Sequence, residues 1–245
     1  MRVDGRSTNE LREIKITRNF IEHAEGSVLI EAGKTKIICC ATVENGIPQF
    51  LRGTGKGWLT AEYSMLPRAT NTRNPRDISN LKQNSRSVEI QRLIGRALRI
   101  AVDLASLGER TITVDCDVIQ ADGGTRTAAI TGGYIAVVDA LIKFYGNGLP
   151  LKSLPLRHAI SACSVGVVGG VPLLDLSYSE DSAADVDMNV IMTDDGRFVE
   201  IQGTGEHTPF SGETFEQLLK LARHGNEQIQ AKQREALSHP FLKNR

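Results

Sequence analysis

Apolar and polar residues follow two periods along this chain, and the changes between them outline its elements. Residues 27–30 and 35–42 are rich in β-branched and aliphatic side chains and read as two strands, with Gly33-Lys34 in the hairpin turn between them. Residues 44–84 hold many Gly, Pro, Asn, Arg and Thr with little periodicity, which predicts a long loop or irregular excursion. From about 87 to 105, Leu93, Ile94, Ala97, Leu98, Ala101, Val102 and Ala105 recur at helical spacing, and Gly108 follows as a stop. Residues 111–119 alternate, with Ile112, Val114, Cys116 and Val118 on one side, as a half-buried strand does. The run 121–127 breaks that strand and opens a second helix to about 144, apolar nearly all round and therefore expected at the centre.

After Pro155 the pattern predicts strands at 159–168, 172–177, 187–192 and 198–203, with Asp195-Gly196 turning between the last two, and a closing helix from about 212 to 236. Strands followed by a helix occur in both halves, so the expected class is α+β, built from two related strand-plus-helix units. No composition shift marks a linker, and residues 1–245 read as one domain.

Composition adds bounds. The 245 residues are 40% hydrophobic and 24% charged, ordinary for a globular core. No continuous apolar run of about 18 residues stands out and the first residues are polar, so a soluble cytoplasmic protein without a membrane partner is expected. Four cysteines without a CxxC pair, and no histidine cluster, argue against structural zinc and for reduced, buried thiols. Strand alternation sends Cys39 and Cys40 to opposite faces.

The formal net charge is zero, so attraction to a polyanion must be local. It is. Between Arg52 and Arg99 ten basic residues, including Lys82, face three acids, whereas between residues 171 and 206 nine acids face Arg197 alone. Such separation suits a protein that handles a polyanion in one place and a cation in another; solvated faces with internal ion pairs are the plainer alternative.

Three constellations carry chemistry. Gly123-Gly124-Thr125-Arg126-Thr127 lies at a strand-to-helix junction, where glycines turn backbone amides toward an anion and the helix start adds positive charge. Arg126 brings a planar guanidinium fork suited to phosphate. Gly33-Lys34-Thr35 is not a rival phosphate loop, because Val28 stands where the first glycine is required and a strand follows. The second constellation is Arg86 with Arg92, Arg96 and Arg99 on one helix face, preceded by Arg68, Arg73 and Arg76 in the irregular segment. This many arginines would track successive phosphates of a single strand. Trp58 and Tyr63 are the only aromatics nearby, so a base-stacking platform is weakly supported. The third is the dense acidic run from Glu180 and Asp181 to Asp185 and Asp187, whose oxygen-only donors suit magnesium or manganese; a solvated acidic turn is the alternative.

Residues 84–99, the run Cys116-Asp117-Val118-Ile119-Gln120-Ala121-Asp122-Gly123-Gly124-Thr125-Arg126-Thr127, and Glu180-Asp181-Ser182 with residues 185–190 together resemble the bacterial ribonuclease PH family, over residues 6–206. The resemblance implies a ribosomal protein S5 domain 2-like fold. It also implies a phosphorolytic 3′-to-5′ exoribonuclease and transfer-RNA nucleotidyltransferase, related to polynucleotide phosphorylase and exosome ring subunits. It makes Arg86, Gly124, Thr125 and Arg126 the phosphate site, and Asp181 and Asp187 the catalytic, metal-binding carboxylates. Arg68, Arg73, Arg76, Arg92 and Arg99 become RNA contacts. Mg2+ or Mn2+ is the implied metal, inorganic phosphate the co-substrate, the 3′ end of transfer RNA and other RNA tails the partner, and a homohexameric ring, a trimer of dimers, the assembly. A hydrolytic ribonuclease and a non-catalytic RNA-binding ring subunit are the rival readings.

Overall fold

A computed structural model describes residues 2–76, 84–146 and 153–238. Five strands form the first sheet: β1 (Ile14–Arg18), β2 (Gly26–Ala32), β3 (Thr35–Asn45), β4 (Trp58–Met65) and β5 (Arg110–Gln120), in the order β1-β2-β3-β5-β4. All neighbours are antiparallel except β4 and β5. That parallel pair needs a crossover. It is supplied by α1 (Ser85–Ala101). The second sheet, β7-β6-β8-β9, is antiparallel throughout and consists of β6 (Ile160–Val168), β7 (Val171–Leu174), β8 (Val186–Thr193) and β9 (Phe198–Gly205).

Between the sheets runs α3 (Thr125–Tyr145), packed against β2 and β3 on one side and β6 on the other. Its residues are buried from Thr125 to Leu141 with the sole exception of Arg126, as its all-round apolar sequence predicts. By length and composition α3 would suffice to cross a membrane, but 83% of its most apolar window is covered by the rest of the protein. Full burial of Ile130, Ile135 and Leu141 contributes about 1.5–3 kcal/mol each. Gly132 permits the close approach to the first sheet: a Cβ there would sit 2.8 Å from Ile30 Cγ2 and 2.9 Å from Cys39 Sγ. The closing helix, α5 (Gly212–Ala236), covers the second sheet and reaches β1.

Most predicted elements are present within a few residues. The segment 44–84 is the main correction, since it contains β4, whose Leu59, Ala61 and Tyr63 alternate inward with polar neighbours. β1 is a further strand outside the predicted set. The helix expected over 87–105 divides, because Val102 takes an extended conformation and bridges Leu156. Asp103 then caps a separate turn, α2 (Leu104–Leu107), by accepting from the amides of Ala105 and Ser106. A four-residue helix, α4 (Tyr178–Asp181), lies inside the acidic run. Cys39, Cys116 and Cys163 are buried free thiols; Cys40, on the opposite face from Cys39, is half-buried.

On α3 the Asp139 carboxylate is 5% exposed and is gripped by Arg18, whose Nη1 also donates to the carbonyl of Ala236 at 3.0 Å and so ties down the end of α5. Removing the guanidinium strands a buried charge. Arg18→Met should lower the unfolding free energy by about 3 kcal/mol, read from urea denaturation; a loss near zero would contradict this account.

Candidate active site

β5 ends at Gln120, and the chain turns through Asp122, Gly123 (φ +74°) and Gly124 (φ +63°) into α3. Left-handed backbone suits glycine, and contact demands it as well. A Cβ on Gly123 would lie 2.5 Å from the Leu176 carbonyl, because the segment leading into α4 passes directly over the turn. Each carbonyl of the turn is held back by its own donor. Arg12 Nη1 donates to Asp122 O, Thr35 Oγ1 to Gly123 O at 2.8 Å, and the Thr127 hydroxyl and Ala128 amide to Gly124 O at 2.9 and 3.0 Å. The amides of Gly124, Thr125 and Arg126 keep no protein acceptor among the described residues, and these residues line a cleft of about 1690 Å³. Free amides at a helix start are a ready anion cradle.

Arg126 is aimed by two long-range contacts: its Nη1 donates to Gln202 Oε1 at 3.1 Å and to Glu89 Oε1 at 3.3 Å. Gln202 in turn donates to Glu200, which accepts from Arg96 at 2.7 Å. Arg86 enters the same cleft from the first turn of α1, which Asn84 caps by accepting the Arg86 amide. Two guanidinium groups and three amides thus line the same cleft.

The carboxylates come from the second half. Asp181 ends α4, held there by a capping box in which Ser177 and Glu180 satisfy each other. Asp187 lies near the start of β8, between Gly166 of β6 and Thr204 of β9. Its described side-chain contact is a long 3.4 Å bond from Asn189 Nδ2. Burial pushes the Asp181 carboxyl up although Arg86 and Arg126 pull it down. Burial, and then the charge of Asp181, push Asp187 up to about 6. Among the described residues neither carboxylate forms an ion pair with a basic side chain. Two adjacent carboxylates short of positive charge are suited to a hard divalent cation that keeps water and substrate oxygens as its other ligands. No group of three or more His, Cys, Asp or Glu among the described residues forms a closed protein cage.

The acidic block therefore divides. Asp175 and Glu180 are structural: Asp175, itself at φ +54°, accepts from Arg12, while Glu180 accepts from Arg2 at 2.7 and 2.8 Å. Asp194 and Asp195 belong to the β8–β9 turn with His158 and Arg197. Asp181, Asp187 and Glu206 line the cleft.

The basic block divides as well. Arg76 lines the cleft, whereas Arg68 and Arg73 are exposed on the same loop outside its lining. Arg92 is exposed on α1, away from the cleft. Arg99 is the clearest departure from the expected RNA face. Its Nη1 donates to Leu59 O at 3.0 Å and its guanidinium stacks 4.5 Å over Trp58, so the edge strand occupies it. Lys82 lies outside the described residues. Gln202 gives no signal in the sequence, and Thr35, rejected as part of a phosphate loop at the hairpin, serves the glycine turn through its hydroxyl only because folding brings the hairpin there.

Two models of the 3′ exoribonuclease family match the chain in succession, domain 1 over residues 10–143 and domain 2 over residues 158–225. The chain belongs to this ribonuclease PH-type 3′ exoribonuclease family, and its α+β architecture is the ribosomal protein S5 domain 2-like fold. Among solved structures it is similar to the Archaeoglobus fulgidus exosome with RNA bound to the active site, with 25% identity and a TM-score of 0.80, covering 94% of this chain and 92% of that one. Rice (Oryza sativa) Rrp46 superposes with a TM-score of 0.78 at 20% identity, over 97% of this chain and all of the other. An archaeal exosome core gives 0.75 at 24%, over 95% and 91%.

The raised Asp187 carboxyl has a consequence for stability. The folded state binds that proton more tightly than the unfolded chain, so this contribution to stability is present at low pH and is lost as pH rises through about 6. In chelator and without substrate, Asp187→Asn should raise the unfolding free energy by about 1–2 kcal/mol at pH 7.5 and leave it nearly unchanged at pH 4. Thermal melts at the two pH values measure the difference; equal shifts would contradict it.

Proposed function

We propose that this chain is a phosphorolytic 3′-to-5′ exoribonuclease that uses inorganic phosphate to remove terminal nucleotides as nucleoside diphosphates. The observation that carries the reading is one cleft holding both the Gly124–Arg126 amides with Arg126 and Arg86, and the Asp181 and Asp187 pair. The first set fits a small oxyanion; the second fits a divalent cation beside it. At about 1690 Å³ the cleft exceeds the roughly 300–1,000 Å³ of a usual small-molecule pocket, which favours the end of a polymer. RNA bound in the active site of the similar Archaeoglobus exosome supports the same substrate class.

Arg86, Arg126 and the free amides hold phosphate in line with the last phosphodiester. An oxygen of the bound phosphate forms a bond to the terminal phosphorus as the bond to the preceding 3′ oxygen breaks. The terminal nucleotide leaves as its diphosphate, and the released 3′ oxygen takes up the proton that hydrogen phosphate brought, so the shortened chain ends in a 3′ hydroxyl. Phosphate arrives ionised, so positioning and charge neutralisation are the main tasks, and no strong general base is required. Asp181 and Asp187 would hold magnesium or manganese, which when bound supplies positive charge for the crowded phosphate oxygens. The phosphoanhydride formed makes the reaction reversible, so excess nucleoside diphosphate drives nucleotide addition. The 3′ ends of transfer-RNA precursors and other RNAs are the proposed substrates, and a homohexameric ring, a trimer of dimers, the proposed assembly; likeness to exosome cores supports a ring.

Chromatography of products from a 3′-extended transfer RNA tests the chemistry: diphosphates should appear only with added phosphate, whereas monophosphates formed without it would overturn the proposal. Arg126→Ala should raise the phosphate concentration for half-maximal rate by about tenfold or more; an unchanged dependence would remove Arg126 from the site.

A further inference from the structure

The wall of the cleft beside the proposed anion site includes a nearly buried residue, Tyr63, with no role in the mechanism above. Tyr63 points inward from β4, opposite Cys116 in the parallel register, and is 4% exposed. Its hydroxyl donates to Thr125 Oγ1 at 2.8 Å. No other protein partner of either hydroxyl is present among the described residues, and Thr125, the first residue of α3, lines the cleft.

A hydroxyl carries one proton and accepts through its lone pairs. With its oxygen taking the Tyr63 proton, Thr125 must direct its own proton elsewhere, and the cleft is the open side. Burial pushes the Tyr63 phenol up, against the Thr125 hydrogen bond and the charges of Arg86 and Arg126, so the phenol stays protonated and remains a donor at neutral pH. Without it, Thr125 Oγ1 could turn its proton back toward the protein and present a lone pair to the incoming anion.

We propose that Tyr63 is a positioning residue for the oxyanion: by donating to Thr125 Oγ1 it turns the Thr125 hydroxyl into a donor toward bound phosphate, beside the amides of residues 124–126. This rests on the phosphorolytic reading of the cleft. Tyr63 touches no reacting atom; it acts through Thr125. The edge strand that carries it is therefore part of the phosphate site, although no residue of that strand figures in the phosphate motif.

Tyr63→Phe keeps the ring and removes the donor. In the full-length protein it should raise the phosphate concentration for half-maximal phosphorolysis about three- to tenfold, the worth of one hydrogen bond, and reduce turnover at saturating phosphate by less than that. Thr125→Val should have an effect at least as large, and the double variant should be no worse than Thr125→Val alone, because the two hydroxyls act as one unit. An unchanged phosphate dependence in Tyr63→Phe, or full additivity in the double variant, would overturn the proposal. So would a lowered melting temperature with unaltered phosphate affinity, the mark of a structural role only. Calorimetric titration of orthophosphate without RNA separates this from the reaction itself. Weaker binding by Tyr63→Phe supports the positioning role even if the wild-type protein proves able to cut RNA without phosphate, a result that would sink phosphorolysis alone.

Discussion

The burial of α3 between two sheets is the constraint on which the site depends. The helix cannot slide without opening apolar contacts to both β2–β3 and β6, so the position of its first turn is fixed by the core. That first turn is where the cleft begins. Amides that would be costly to bury unpaired are left at the end of the helix that opens on the cleft, already oriented before any ligand arrives. Thr35 and Arg12 complete the arrangement from the first half by holding the turn's carbonyls away from the anion side.

The two halves are registered by buried charge. The N-terminal segment crosses to the second sheet, where Arg2 grips Glu180 and Arg12 grips Asp175, while Arg12 also reaches the Asp122 carbonyl in the turn. Such pairs seldom add much net stability compared with apolar packing, but breaking one leaves an uncompensated charge, so they penalise any slippage of one half against the other. Glu180 immediately precedes Asp181, and the Arg2 contact therefore places the start of the carboxylate pair relative to the Gly124–Arg126 turn.

Asp181 and Asp187 contrast with these satisfied acids. They are partly buried within reach of each other's charge, with no basic side chain among the described residues bound to either, and their raised pKa directions record the resulting cost. Natural proteins tolerate local instability of this kind where a ligand relieves it. Arg126 is held in a related way: Gln202 and Glu89 orient it through one nitrogen, leaving the rest of the guanidinium fork toward the cleft.

The sequence alone determined the hairpin at Gly33, the all-apolar central helix, the alternating strands of the second half and the glycine turn ahead of Arg126, because each is a local pattern with a local cause. Arg86, Arg126, Asp181 and Asp187 were legible for a related reason: they stand in ordered motifs next to elements whose ends are predictable. What tertiary structure decided is which charges remain free. Arg99 reads as an RNA contact until β4, concealed in a glycine- and proline-rich stretch, places Trp58 and the Leu59 carbonyl against it. Glu180 belongs to the acidic run that suits a cation until Arg2 is brought across the chain to meet it. Gln202 carries no local signal, and nothing local points to the contacts Tyr63 and Thr35 make with the glycine turn and the start of α3. A side chain's chemistry is set by the partner that folding brings to it, and those partners lie tens to more than a hundred and fifty residues away in sequence.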